Sequence, residues 1–446
     1  MARSNKRRVG GWLPSDPELI RKFVEKLRSR PKADPADYIP PIKDLQNLVA
    51  STPTLAALTQ VMFVEGYDYD PENPLGQPSV TSWPEFLGLL NAIMTTAPEF
   101  YVDAKGEALG LVGFPINALL DWPMGTGAGY TVFSSELFNR AFQPVLRHWS
   151  AFLTSEASRY VLAESDPKSD PPVVAWLSDD AKAQMIAVAC QPSGGSADCL
   201  SKSFTEIFQV PDPNDPVYLG FASWDDFFTR EFQPGVRPVG DAPVVSACES
   251  APLQVVTNVG LSDRFWLKGQ PYSLNNMLGF HPKAAHFQGG SVYQAFLSAL
   301  SYHRWNAPVD GTVEDAFVIN GSYYLESMSE GVHSPDPDPS APNASQPFIT
   351  SVATRAVIFI RATDPGIGLM AFVAVGMAEV SSCQIQVKPG DVLSKGDPLG
   401  MFHFGGSTHC LVFGPDVSLK FRVPVSGEPN LDATNVAVKS NLATLA

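Results

Sequence analysis

The chain has 446 residues, 44% of them hydrophobic and 11% aromatic, which is enough to bury a large core and long enough for two domains. Its formal net charge is −15. That excess of acid argues against nucleic acid as a partner, since phosphates repel it, and against stable residence on an anionic bilayer, which attracts clustered Lys and Arg.

The first eight residues are basic, but no apolar run follows them, so no secretory signal is expected. Ser15-Asp16-Pro17-Glu18 opens a helix, with a capping side chain, proline in the first turn, and Leu19, Ile20, Phe23, Val24 and Leu27 at helical spacing. Residues 1–41 therefore read as an arm and helix closed by a proline-rich hinge. Apolar residues then recur at three and four through residues 42–165, as in Leu45, Leu48, Val49 and Phe138, Phe142, Val145. This is a helical domain, with loops expected at 67–82 and 121–129. Residues 166–222 read as a linker with short helices, one of them over 179–189.

Past Ser223 the texture changes to short β-branched and aromatic runs between Gly and Pro, so 223–446 is expected to be β-rich and the fold class α+β. Within it, a helix is expected through Val292, Phe296 and Leu297, and an exposed loop over 334–347. The apolar stretch 356–380 is interrupted by Arg361, Asp364 and Pro365, so it reads as strands and a turn and not as a membrane span. The five cysteines (190, 199, 248, 383 and 410) lack metal-ligand spacing. Reduced thiols, a cytoplasmic location and no bound metal are the expectation.

Near the end stands Phe404-Gly405-Gly406-Ser407-Thr408-His409. A hydroxyl residue directly after two glycines is suited to breaking its own backbone, because Gly406 leaves its carbonyl open to close approach and tolerates strain. Attack by the Ser407 hydroxyl gives an ester. Elimination and hydrolysis then leave a pyruvoyl group as a new N-terminus, an electron sink that does the work of pyridoxal phosphate. Taken alone, the tetrapeptide is more often a turn.

Its surroundings are specific. In order along the chain come Phe227-Phe228-Thr229-Arg230-Glu231-Phe232, Arg237-Pro238, Lys268-Gly269-Gln270-Pro271-Tyr272-Ser273, Tyr302-His303-Arg304-Trp305-Asn306-Ala307-Pro308, and Val387-Lys388-Pro389-Gly390-Asp391. From about Ser223 to Phe421 this set resembles the phosphatidylserine decarboxylase family of pyruvoyl enzymes. Gly11-Trp12-Leu13, Ala247-Cys248-Glu249-Ser250, Gly376-Met377-Ala378-Glu379 and Met401-Phe402-His403-Phe404 resemble its soluble fungal branch, that of the L-tryptophan decarboxylases.

The resemblance implies a self-processing carboxy-lyase cut between Gly406 and Ser407, with a small chain 407–446, a pyruvoyl cofactor made from Ser407 and no pyridoxal phosphate. It implies His303 as the acid/base group of decarboxylation, and Glu379 on a strand close to the cleavage strand, placed to meet a substrate amine. Thr408 beside the cut is a candidate oxyanion donor. In the family, an Asp-His-Ser arrangement drives the cut. Here the acidic member is Glu249 and the histidine is replaced by Asn306, which cannot act as a general base. Three readings stay open: another base, with His403, His409 and His303 as candidates; strain at Gly406-Ser407 aided by Asn306; or an uncleaved, non-catalytic binding protein. The substrate implied is a free amino acid, an aromatic one such as tryptophan, with lipid phosphatidylserine as the alternative.

Overall fold

The computed structural model describes residues 14, 17–31, 33–69, 80–103, 105, 108–262, 272–329, 342–379, 382–423 and 433–446. Gly11-Trp12-Leu13, Lys268-Gly269-Gln270-Pro271 and most of the expected loop at 334–347 lie outside them. The chain divides into two compact units, one of residues 1–182, 214–227 and 321–345, the other of 183–213, 228–320 and 346–446.

The first unit is helical. Pro17–Ser29 buries Leu19, Ile20, Phe23, Val24 and Leu27, the stripe set by its spacing, and pairs its polar side through Lys26–Glu99 (2.7 Å) and Arg28–Glu85 (2.7 Å). Pro40–Ser51 buries Ile42, Leu45 and Val49, and Glu136–Leu153 buries Phe138, Phe142, Val145, Leu146 and Trp149. The Trp149 indole N–H donates to the Thr96 carbonyl at 3.0 Å, so its burial leaves no orphaned donor. The loop expected at 121–129 is instead the junction of two helices, Pro115–Met124 and Gly127–Ser134. Thr126 caps the second, accepting from the Gly129 N–H at 2.9 Å. A Cβ at Gly129 would lie 2.0 Å from the Pro123 carbonyl, so the glycine signals close packing and not a loop. The expected loop at 67–82 begins inside the helix Pro53–Tyr69, and 70–79 lie outside the described residues.

The second unit is built on an antiparallel seven-stranded sheet. Its strands run, side by side, Val392–Leu393, Gly311–Ile319, Arg355–Ala362, Leu369–Met377, Gly406–Phe413, Ser291–Leu297 and Ala251–Thr257. Arg355–Ala362 and Leu369–Met377 form the hairpin read from the apolar stretch. Ser291–Leu297 is a strand where a helix was expected. Its neighbours pair it on both sides and both its faces are buried, so its apolar residues do not alternate, and periodicity misreads it. A small sheet of Cys383–Ile385, Pro398–Phe402 and Arg304–Asn306 packs through Trp305 against Phe372 of the large one, with ring centroids 5.6 Å apart.

Cys190 and Cys199 form a disulfide, which corrects the expectation of five reduced thiols; Cys248, Cys383 and Cys410 are free and buried. Gly194 (φ 67°) and Gly195 (φ 68°) reverse the chain between the pair and bring their Cα atoms to 5.8 Å, a contact that sequence separation alone does not announce. Among the described residues no single helix is long and apolar enough to cross a membrane, and no cluster of three or more His, Cys, Asp or Glu is placed to hold a metal.

Candidate active site around Ser407

Ser407 is the second residue of Gly406–Phe413, an inner strand of the large sheet in which every residue is buried. Its register partners are Gly376 on one side and Leu297 on the other, and Gly406 lies opposite Met377. Gly376 adds no side chain at the cross-strand position beside the serine. Gly405 enters the strand at φ 134°, a backbone that only glycine holds without a Cβ clash. The Ser407 hydroxyl is fully buried and has no hydrogen-bond partner. Leaving such a group unbonded costs on the order of 1–3 kcal/mol, so the position calls for an explanation.

Strand alternation puts His409 on the same face as Ser407, one pleat further along. Its ring is fully buried between Phe372 (5.9 Å) and Tyr293 (6.0 Å), and neither ring nitrogen has a hydrogen-bond partner. Burial lowers its pKa to about 3, with the backbone of its register partner Ala295 pulling weakly the other way. The imidazole is therefore neutral at working pH and has an acceptor nitrogen.

His303 is also fully buried, stacked on Phe228 at 4.1 Å between ring centres. Phe228 in turn meets Phe404 edge-on at 5.2 Å, and Phe404 stands three residues before Ser407. Burial first, then the Arg230 charge, lower the His303 pKa to about 3, against a smaller opposing effect of the Ser301 backbone. Glu379 is buried, but it lies in the turn after Leu369–Met377 and not on a strand as expected. Ala378 at φ 51° breaks the strand there, directly after Met377, the partner of Gly406.

The residues expected to complete a charge relay are occupied elsewhere. Both Glu249 oxygens accept from Arg237 (2.6 and 2.9 Å), and one also accepts from the Val438 N–H at 2.8 Å. Asn306 donates its amide to the Gly396 carbonyl at 2.9 Å and leaves its Oδ1 buried without a partner. Alternation sets Asn306 on the other side of its strand from Trp305, whose ring packs on the large sheet. His403 is half-buried and bonded through Nε2 to Gln384 Oε1 at 2.8 Å. The Thr408 hydroxyl donates to the Ala295 carbonyl at 2.9 Å and accepts from Gln294 at 3.1 Å. No hydrogen bond reaches Ser407 from Glu249, Asn306, His403 or His409; His409 is set apart only by sharing its strand face.

Three contributions were not assigned roles from sequence: Phe228 as the stacking partner of His303, Arg237 as the counter-ion of Glu249, and Gln294 behind Thr408. The first two stand inside motifs that sequence singled out. Gln294 carries no local signal, since its role depends on which strand pairs with which.

Two family models match the chain, both described as phosphatidylserine decarboxylase, one over residues 224–432 and one over 39–185. A decarboxylase of Amanita muscaria, iboD, is 38% identical over 348 residues, covering 75% of this chain and 94% of that protein. An L-tryptophan decarboxylase of Psilocybe cubensis is 31% identical over 415 residues, 90% of this chain and 87% of that protein. A phosphatidylserine decarboxylase proenzyme of Oryza sativa is 30% identical over 220 residues, 48% of this chain and 33% of that protein.

Proposed function

We propose that this chain, which belongs to the phosphatidylserine decarboxylase family and is a carboxy-lyase, cuts itself between Gly406 and Ser407 and decarboxylates a free aromatic L-amino acid. The observation that carries the reading is the buried, unbonded Ser407 hydroxyl directly after Gly405-Gly406, with a neutral histidine on the same strand face.

In the cut, His409 takes the hydroxyl proton as Ser407 Oγ attacks the Gly406 carbonyl carbon. His409 returns that proton to the Ser407 nitrogen as the Gly406–Ser407 C–N bond breaks, and an ester replaces the amide. Elimination across Cα–Cβ of Ser407 frees the Gly406 carboxylate, and water then releases the nitrogen as ammonia. A pyruvoyl group at position 407 supplies the electron-withdrawing carbonyl that decarboxylation needs. The residues present suit it: its carbon skeleton is that of Ser407, and the neighbouring Gly376 adds no side chain beside it.

His303, held by its stack on Phe228, moves the proton at the substrate Cα. Glu379 meets the substrate amine. Phe228 and Phe404 supply an aromatic wall. A free amino acid as substrate is supported by alignment with the L-tryptophan decarboxylase over nearly the whole chain, and by a net charge of −15 that does not suit an anionic bilayer.

The test is intact mass under denaturing conditions, followed by CO2 release from L-tryptophan, L-tyrosine, L-phenylalanine and phosphatidylserine vesicles. The reading expects two chains, with the small one beginning at position 407, and turnover of a free amino acid. A single 48.1 kDa polypeptide overturns it. Turnover confined to the vesicles overturns the substrate assignment.

A further inference from the structure

On the sheet face opposite Ser407 runs a chain of buried hydrogen bonds that the proposed chemistry does not use. The Gln254 amide donates to the Tyr272 hydroxyl at 2.7 Å, and that hydroxyl donates to Gln294 Oε1 at 2.6 Å. The Gln294 amide donates both protons, one to the Gln346 carbonyl at 3.1 Å and one to Thr408 Oγ1 at 3.1 Å. Thr408 passes its own proton to the Ala295 carbonyl at 2.9 Å. Gln254 and Tyr272 are 1% exposed, and Gln294 and Thr408 are 0% exposed.

Reversing a link sets donor against donor or acceptor against acceptor, a costly error away from water. Burial lifts the Tyr272 phenol well above its ordinary pKa, so the chain stays neutral and its polarity does not change with pH. The anchor points are well separated: Gln254 on the edge strand Ala251–Thr257, Gln294 on Ser291–Leu297, and the Gln346 carbonyl in the helix Pro342–Val352. All converge on one side chain of the scissile strand.

We infer that Gln254, Tyr272, Gln294 and Thr408 are positioning residues that hold the start of the small chain in register once its bond to Gly406 is gone, with Thr408 as the clamp. The inference rests on the proposed self-cleavage. Before the cut, the strand start is held covalently from both ends. Afterwards it is a chain terminus, and termini fray unless tied down. The Thr408 nitrogen is bonded to the Ser407 carbonyl carbon, so the conformation of Thr408 sets the orientation of whatever position 407 becomes. A loose terminus keeps the reactive group but loses its aim.

The test compares Thr408→Val, which keeps the shape and removes the hydroxyl, with Thr408→Ser, Tyr272→Phe and Gln294→Met. Intact mass scores cleavage, phenylhydrazine adducts count the ketone on the small chain, and hydrogen exchange reports the backbone of residues 407–410. Thr408→Val is expected to cleave and to carry a full complement of ketone. Its kcat should fall about tenfold with KM within about threefold, the equivalent of roughly one buried hydrogen bond. Thr408→Ser restores kcat.

Exchange protection should drop in cleaved Thr408→Val and persist when Ser407→Ala keeps the chain whole. Should Thr408→Val fail to fold, Tyr272→Phe, which removes one oxygen, is expected to lower kcat about threefold with the same exchange pattern. Equal loss of protection in cut and uncut protein, or kcat unchanged in both Thr408→Val and Tyr272→Phe, overturns the inference while leaving the proposed function standing. A parent protein that never cleaves overturns both.

Discussion

Ser407 and His409 share one face of one buried strand, two residues apart, and each presents side-chain atoms with no hydrogen-bond partner. The strand is hydrogen-bonded on both sides over its length, so this spacing is rigid. Two unpaired polar side chains side by side in a core are rare unless something is gained from them. The proposed cut would use both, the serine losing a proton and the neutral imidazole receiving it.

Ser407→Ala is expected to remain a single 48.1 kDa chain and release no CO2, because no hydroxyl is left to attack Gly406. Ser407→Cys retains a nucleophile and should still cleave. Denaturing intact mass decides both, and an alanine variant split at this bond defeats the self-cleavage reading.

His409→Ala should slow the cut by about two to four orders of magnitude, the ordinary range for loss of a general base. Asn306→His and His403→Ala should stay within about threefold of the parent, since Asn306 is turned to the Gly396 carbonyl and His403 to Gln384. Pulse-chase labelling with gel separation of the chains measures all three. Rapid cleavage of His409→Ala removes His409 from the mechanism.

His303→Ala is expected to cleave yet turn over substrate about two to four orders of magnitude more slowly. The comparison must use purified cleaved protein with its ketone content measured. Parent-like turnover makes His303 a packing residue of the Phe228 stack.

Acid should destabilise the fold steeply. His303 and His409 each have a folded pKa near 3, below the unfolded value of about 6.5, so between these limits the unfolded state binds more protons. Stability is therefore fully present above about pH 6.5 and falls as pH drops, by about 1.4 kcal/mol per pH unit for each histidine. Urea titrations between about pH 4 and 6 should show the slope, and His409→Gln should reduce it by about that amount. An unchanged slope means the ring is solvated or paired.

Glu249→Gln should destabilise by about 3–5 kcal/mol, because it strands the Arg237 charge in a nearly buried pair. Chemical denaturation checks this. If Glu249→Gln instead leaves stability intact and stops cleavage, the carboxylate belongs to the reaction.

Much of this protein was legible along the chain. The amphipathic spacing of Leu19 to Leu27 and of Ile42 to Val49 announced helices, and the Gly/Pro-bounded apolar runs after Ser223 announced strands, because each signal is local and repeats at the period of its element. The Gly406-Ser407 bond proposed as the cut site stands out along the chain for the same reason: the proposed chemistry needs only adjacent residues. What sequence left open was pairing in space. Residues 292–297 read as a helix, since a strand buried on both faces has no alternation to show. Cys190 and Cys199 gave no sign that two left-handed glycines bring them together.

Among the histidines, sequence put forward His303 for decarboxylation and His403 as a catalytic residue, with His409 only one of several candidate bases for the cut. Strand register and burial separated them, sending His403 outward, stacking His303 on Phe228, and leaving His409 beside the serine. Gln294 acquired a role only because its strand lies next to that of Thr408, a neighbour 114 positions away. Covalent order sets which groups the chain carries. Which of them meet is set by hydrogen-bond register between distant strands, and no short stretch of sequence encodes that.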